Sequence, residues 1–186
     1  MTTTLLDGLS YTTLDLSAVA HPPKGMMTIS SCPGYCKENG TSEQRQASHL
    51  DALTSIGVDL VVALTPDDEM ERLGVDTMPN QIKAAGMEWL QVPVVNYSTP
   101  EADQLDAFMA AMAEVKLRLD AGQHIVVHCR GGTGRAGKVA AVMLIHYGVD
   151  PDQAITMIRG QRQGCIQTED QEQFVRDYIP AMTAEG

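Results

Sequence analysis

The stretch that most constrains this chain runs from His124 to Lys138. There an apolar run enters a glycine-rich turn and leaves it as a helix-former. Ile125, Val126 and Val127 are β-branched, so His124 to His128 predicts a short buried strand. Arg135 to Tyr147 predicts a helix, with Gly148 as its stop. A strand that feeds a helix through a tight loop belongs to an α/β fold.

The rest of the chain repeats that alternation. Short strands are predicted over Leu9 to Leu16 and Met26 to Ser31, joined by the Pro/Gly-rich Ala20 to Gly25. Ser42 to Ile56 predicts a helix, and Val58 to Leu64 a buried strand. Thr65-Pro66-Asp67-Asp68 opens a helix, with Thr65 as cap and acids at the positive end. A helical piece follows over Asn80 to Ala85, then a strand over Met87 to Val95. Thr99-Pro100-Glu101 opens a long helix to about Ala121. Asp150-Pro151 opens another that ends near Gly164. Thr168-Glu169-Asp170-Gln171 predicts a capping box for a last helix to about Ile179. Short apolar strands between helices predict an α/β fold: a mostly parallel central sheet flanked by helices on both faces. All 186 residues are expected in one domain, with residues 1–9 as a loose tail. In such sheets ligands sit beyond the carboxyl ends of the strands, which directs attention past His128.

Composition narrows the function classes. The formal net charge is −11, so neither nucleic acid nor an anionic membrane is an expected partner. The longest apolar run, Val139 to Ile145, has seven residues, against the roughly 20 of a membrane helix. No base precedes Lys24, so no secretory start is visible. A cytoplasmic monomer is the expectation. Four cysteines are too few for a disulfide scaffold. The methionines are expected as core filler.

Three motifs overlap in the loop. Gly132-x-Gly134-x-x-Gly137 matches a dinucleotide fingerprint, but the acids about 20 residues on, Asp150 and Asp152, open a helix. Gly132-x4-Gly137-Lys138 nearly matches a nucleotide-binding loop, but Val139 stands where the magnesium-binding hydroxyl belongs. The third is Cys129-x5-Arg135 with His128 in front. A cysteine at a strand end faces the N-terminus of the next helix, and backbone N–H groups around Gly131, Gly132 and Gly134 can point inward as a phosphate nest. The same field stabilises a thiolate, a strong nucleophile for phosphorus. The planar fork of Arg135 suits two phosphate oxygens. No cofactor or metal is required. Cys32-x3-Cys36 lacks a second half for a metal site.

These residues give the chain a family look. It resembles the dual-specificity, cysteine-dependent protein phosphatases, and most closely the kinase-associated phosphatase (cyclin-dependent kinase inhibitor 3) group. The resemblance rests on Cys32-Pro33-Gly34-Tyr35-Cys36-Lys37, on His128 to Arg135, and on Ala154 to Thr168 with Gln171. It implies a protein tyrosine phosphatase-like fold and a phosphorylated protein as substrate. Cys129 would take the phosphoryl group and Arg135 would bind it. Arg130, Gly131, Gly132, Thr133 and Gly134 would line the phosphate site. His128 would fix the loop, and Gln167 or Gln171 would place the hydrolytic water. The capping box is an equal explanation of Gln171.

Two positions depart from the family pattern. The usual general acid lies in Pro-x-x-Asp, but here Pro93-Val94-Val95-Asn96 puts an amide at that place. Asp103, Glu101, Asp67 and Asp68 are the substitutes in range. All four read first as helix N-terminal charges, and Asp103 is favoured among them. Ala136 replaces the hydroxyl that usually helps to break down the phosphocysteine. Together they imply a slow enzyme, or a pseudophosphatase that binds a phosphorylated partner. Arg130, Arg135, Lys138, Arg159 and Arg162 form a locally basic stretch, with Lys138 expected to point away on the helix and Arg159 and Arg162 partly structural. Cys32, Cys36 and Cys165 are expected as packing residues, or as a resolving thiol should Cys129 oxidise. His21, His49, His124 and His146 are read as surface or packing residues, and Tyr97 as a candidate pocket lining.

Overall fold

The structure is a computed structural model; it describes residues 4–6, 8–36 and 40–180. The strands are β1 (Thr4–Leu6), β2 (Leu9–Thr13), β3 (Met26–Ser30), β4 (Tyr35–Cys36), β5 (Gly40–Thr41), β6 (Leu60–Ala63), β7 (Glu88–Gln91) and β8 (His124–His128). The helices are α1 (Glu43–Ser55), α2 (Asp67–Leu73), α3 (Met78–Ala84), α4 (Leu105–Asp120), α5 (Gly134–His146), α6 (Pro151–Gln161) and α7 (Glu169–Asp177).

The main sheet has the order β1-β2-β3-β8-β6-β7, and β4 pairs with β5 apart from it. The four strands β3, β8, β6 and β7 run parallel, and β2 and β1 extend one edge antiparallel. Part of the expected N-terminal tail is therefore sheet. β8 lies between β3 and β6, and all five of its residues are buried. A strand covered on both faces has no polar face to show, which is why its three middle residues, Ile125, Val126 and Val127, are all apolar.

Two cores sandwich the sheet. Phe108, Met112, Val115 and Leu119 of α4 pack with α5, α6 and α7 against Ile125 and Val127. Leu50 and Leu53 of α1, with Met70, Met78 and Ile82, pack against Val61 and Val126 on the other face. Mostly parallel strands with helices on both faces are the expected architecture. Six buried methionines, Met27, Met70, Met78, Met87, Met112 and Met143, fill these cores. No helix among the described residues is long and apolar enough to cross a membrane.

Several boundaries differ from expectation. β7 ends at Gln91, short of Val95. Pro93 has no N–H to give a ladder, although Val92 and Val94 still donate to Ala63 O and Leu64 O. α4 starts at Leu105, not near Pro100. The Gln104 side chain accepts from the Glu101 N–H, and the Gln104 N–H donates to Glu101 O, so a closed turn satisfies these groups first. Pro66, not Thr65, caps α2, and the buried Thr65 hydroxyl has no hydrogen-bond partner among the described residues.

Candidate active site

The loop between β8 and α5 is held from three sides. From the turn just after β3, the Cys32 N–H donates to Arg130 O at 3.1 Å. From α6, the buried Arg162 donates through Nε to Gly132 O at 2.7 Å, and through its other nitrogens to Ser10 and Thr12 of β2. At the loop itself, Gly132 adopts a φ of +71°, and a Cβ there would lie 2.4 Å from the Ser30 carbonyl carbon. Only glycine meets both conditions. The Gly132 N–H then points at Cys129 Sγ, 3.2 Å away. Cys129 is recessed, only 3% exposed.

Arg135, one residue into α5, is buried. Its Nη1 donates to Glu69 Oε2 at 2.7 Å, Val94 O at 2.8 Å and Leu64 O at 3.2 Å, and its Nη2 to Glu69 Oε1 at 2.8 Å. Burial opposes the charge, but Glu69 and the Cys129 thiol outweigh it and raise the guanidinium above its ordinary value. The buried Nε makes no hydrogen bond of good geometry among the described residues, and Nη2 has a second N–H beyond the one given to Glu69. A bidentate carboxylate on one edge of the fork fixes its plane and leaves the other edge for an anion.

The segment after Val94 carries Asn96, which is half-buried, and Tyr97, whose φ of +63° is a left-handed conformation uncommon outside glycine. Thr168 Oγ1 donates to Tyr97 O at 3.4 Å, and Gln171 Nε2 reaches Ser98 O at 3.5 Å. A Cβ on Gly134 would meet Gln167 Oε1 at 2.7 Å and Gln171 Nε2 at 3.2 Å. The Gln171 amide thus bridges the phosphate-loop end and the Asn96 segment. The predicted capping box is half present. Thr168 accepts from the Gln171 N–H, but Gln171 Oε1 accepts from the Gln167 N–H instead of the cap's own.

The expected positions divide accordingly. Cys129, Gly132, Gly134, Arg135, Gln167 and Gln171 come together. Arg130 is half-buried, Gly131 exposed and Thr133 half-buried at the head of α5, with no side-chain cap bond. Asp103 is exposed in the turn before α4, without a hydrogen bond or ion pair among the described residues. Asp67 accepts from Gln91, and Asp68 pairs with Arg72. His128 is buried against the Trp89 ring at 5.8 Å, and neither ring nitrogen has a well-formed partner among the described residues. Burial, with the Arg135 charge adding, pushes it down to about 4, so the ring is neutral.

Lys138 corrects an expectation. It does not point away: its side chain is fully buried. Its Nζ donates to Ser98 O at 3.3 Å and lies 4.8 Å and 5.6 Å from the ring centres of Phe174 and Phe108. Arg159 is likewise structural, bonded to Cys165 O, Ile166 O and Glu172. Of the basic stretch, Arg130 alone is half-buried with no ion pair among the described residues. Cys32 and Cys165 are buried; burial pushes the Cys165 thiol up to about 12 and the Cys32 thiol higher still, so both are poor attacking thiols. The Cys36 side chain and Lys37 lie outside the described residues. His124 and His146 have packing partners after all, Thr28 and Tyr178. Buried His49 accepts from the Gly34 N–H. No group of three or more potential metal ligands occurs among the described residues.

Sequence reasoning missed Glu69. It stands in the first turn of α2, which follows β6, the strand beside β8. The carboxyl ends of adjacent parallel strands converge, so an acid there was findable once the strand order was known.

A cysteine–arginine loop at the carboxyl end of the central strand of this sheet defines a protein of the tyrosine phosphatase class. The family model described as the Swiss Army Knife protein, DSP-PTPase phosphatase domain, matches residues 37–175, and the chain belongs to that family. It is similar to human cyclin-dependent kinase inhibitor 3, 25% identical over 135 residues, 71% of this chain and 62% of that protein. It is also similar to a probable protein tyrosine phosphatase type IVA A of Dictyostelium discoideum, 29% identical over 97 residues, 52% of this chain and 57% of that one. An uncharacterized protein of Methanocaldococcus jannaschii is 33% identical over 91 residues, 48% of this chain and 58% of that one. The chain therefore spans about three fifths of the curated relatives it matches. Kinase associated phosphatase, solved with serine in place of its catalytic-site cysteine, superposes with a TM-score of 0.77 at 23% identity, over 89% of this chain and 90% of that one. The active form of Tk-PTP gives 0.65 at 22% identity, over 90% and 98%. These likenesses show the fold. The expected resemblance to kinase-associated phosphatase is present in sequence and in fold.

Proposed function

We propose that this chain hydrolyses phosphate monoesters of phosphotyrosine and phosphoserine/threonine proteins through a phosphocysteine intermediate. The observation that carries the reading is the buried Nε of Arg135, which makes no hydrogen bond of good geometry among the described residues and faces the Cys129 side. Its guanidinium is fixed by Glu69 beside a loop whose Gly132 N–H already meets the Cys129 sulfur. A phosphate dianion is the small ligand that satisfies such a donor together with a nest of N–H groups.

In this reading the Cys129 thiolate attacks phosphorus. Arg135 and the N–H groups of residues 130–134 take the non-bridging oxygens and follow them into the transition state. The P–O bond to the leaving group breaks, and its electron pair leaves on the ester oxygen, which needs a proton. Asn96 cannot supply one. Asp103 is our favoured donor, and it needs the 101–104 turn to swing inward. Water, held by Gln167 or Gln171, then attacks the phosphocysteine. The S–P bond breaks, inorganic phosphate leaves, the water's proton goes to the donor's carboxylate, and the thiolate returns. Arg130 at the rim favours substrates with further negative charge. No cofactor, nucleic acid or membrane takes part, and the protein acts as a cytoplasmic monomer.

A second reading is a pseudophosphatase or slow phosphoprotein binder. Ala136 favours it: it is fully buried at the head of α5 and carries no hydroxyl. The deciding experiment is p-nitrophenol release from p-nitrophenyl phosphate in EDTA, with Cys129→Ser alongside. The phenol is a good leaving group and tolerates a missing acid. Release that vanishes in the serine variant supports the enzyme. No release above that variant, from folded and reduced protein, leaves phosphate binding as the function.

A further inference from the structure

We propose that Lys138 is a positioning residue, whose ammonium clamps the Ser98 carbonyl and so holds the Asn96 segment against the phosphate loop. The clamp rests on reading that segment as the cover of the phosphate site.

The geometry is specific. Three donors converge on two successive carbonyls of the segment: Lys138 Nζ and Gln171 Nε2 on Ser98 O, and Thr168 Oγ1 on Tyr97 O. A fourth, Arg135 Nη1, holds Val94 O upstream. Tyr97 between them is held at a positive φ, a conformation that persists only when its surroundings over-determine it. Of these donors only Lys138 titrates near neutrality. It is fully buried, and no carboxylate among the described residues forms an ion pair with it. It rests on the faces of Phe174 from α7 and Phe108 from α4, where a cation is favoured over a neutral amine. The charged groups that act on it are Arg135, on its own helix, and Cys129. Burial first, then Arg135, push it down to about 7, while a Cys129 thiolate pulls the other way.

The clamp is therefore strong at pH 6 and weak at pH 8, because a charge-assisted hydrogen bond is roughly twice as strong as a neutral one and the ring contacts lose their cation. It is also coupled to the site. A phosphate dianion bound beside Arg135 stabilises the ammonium, so by reciprocity the ammonium stabilises bound phosphate. Anion binding tightens the segment that covers it.

The first test uses the unmodified protein. Lysine ε-carbon NMR follows Lys138, and backbone amides of residues 95–99 are followed in the same titration, with and without inorganic phosphate. A shared midpoint near neutrality that moves up with phosphate is expected. A Lys138 midpoint near that of an exposed lysine, or loop amides that ignore it, overturns the clamp whether or not the protein turns over. The second test is the ratio of kcat/KM on p-nitrophenyl phosphate, wild type over Lys138→Met, which cancels the ionisation of the substrate; iodoacetamide alkylation of Cys129 across the same pH range, in both proteins, separates any change in the thiol from the clamp. The ratio is expected to fall from about tenfold at pH 6 toward one at pH 8.5, the scale of a slightly misplaced catalytic segment. Lys138→Arg, charged throughout, is expected to flatten the pH dependence. A ratio constant with pH marks Lys138 as mere packing. Absence of turnover in the wild type counts against the phosphatase reading, and the NMR result still decides the clamp.

Discussion

At the scale of single residues the site turns on two carboxyl questions, one answered by Glu69 and one left open at Asn96. Glu69 neutralises and orients Arg135 through two hydrogen bonds of 2.7 and 2.8 Å. Breaking a buried pair strands the other charge, so Glu69→Ala is expected to cost about 3–5 kcal/mol. A urea midpoint measures that, and KM for p-nitrophenyl phosphate should rise with it as the fork loses its plane. Asn96 is the opposite case, a place where a carboxyl would help. Asn96→Asp is expected to raise kcat on a phosphoserine peptide toward the roughly 10²–10⁴-fold that a general acid contributes, with little change on the p-nitrophenyl ester. Equal gains on both substrates would mean that the residue acts on something other than the leaving group. Lys138 adds a pH-dependent stability. With a folded value near 7 against an ordinary 10.5, the unfolded chain binds the extra proton between those limits, so stability rises with pH across that window. Lys138→Met removes the cost of burying the charge. Its melting temperature is expected to exceed wild type most at pH 7 and below, with the gap closing toward pH 10. A gap that does not change with pH would show that the charge is not what the burial costs.

At the scale of elements, loop and helix are joined by close approaches that leave no room for a side chain. Gly132→Ala meets both a positive φ and a backbone atom at 2.4 Å. It is expected to lower the melting temperature and to weaken phosphate binding together, whereas Gly160→Ala, with open space around its Cβ, should do neither. Much at this scale was legible in the sequence. His124–His128 was bounded to the residue, because the middle of a central parallel strand is apolar on both faces and the ends of this one are marked by Gly122 and the loop glycines. The thiol–guanidinium spacing was legible because its chemistry is local. What was not legible depended on neighbours far along the chain. Lys138 looked like a surface base because helix periodicity says nothing about aromatic rings supplied by α4 and α7. Glu69 looked like one of three acids in a first turn, because periodicity does not reveal that β6 lies beside β8. β7 was overrun because the apolar pattern continues past Pro93 while the ladder does not.

At the scale of the whole molecule, the phosphate loop is a junction between distant parts of the chain. Arg162 gathers Gly132 O, Ser10 and Thr12 around one buried guanidinium, across a separation of 150 residues to Thr12. Arg162→Met, which keeps the volume and loses the donors, is expected to loosen the loop and to raise the inhibition constant of inorganic phosphate, with the sheet intact by circular dichroism. The family match begins only at residue 37, yet β2, which holds Arg162, and β3, which pairs all five of its residues with β8, both come earlier. The family span thus outlines a smaller object than the folded sheet. A fragment trimmed to the recognisable family span would carry every residue of the proposed chemistry and still leave its central strand with a raw edge and its loop without a floor.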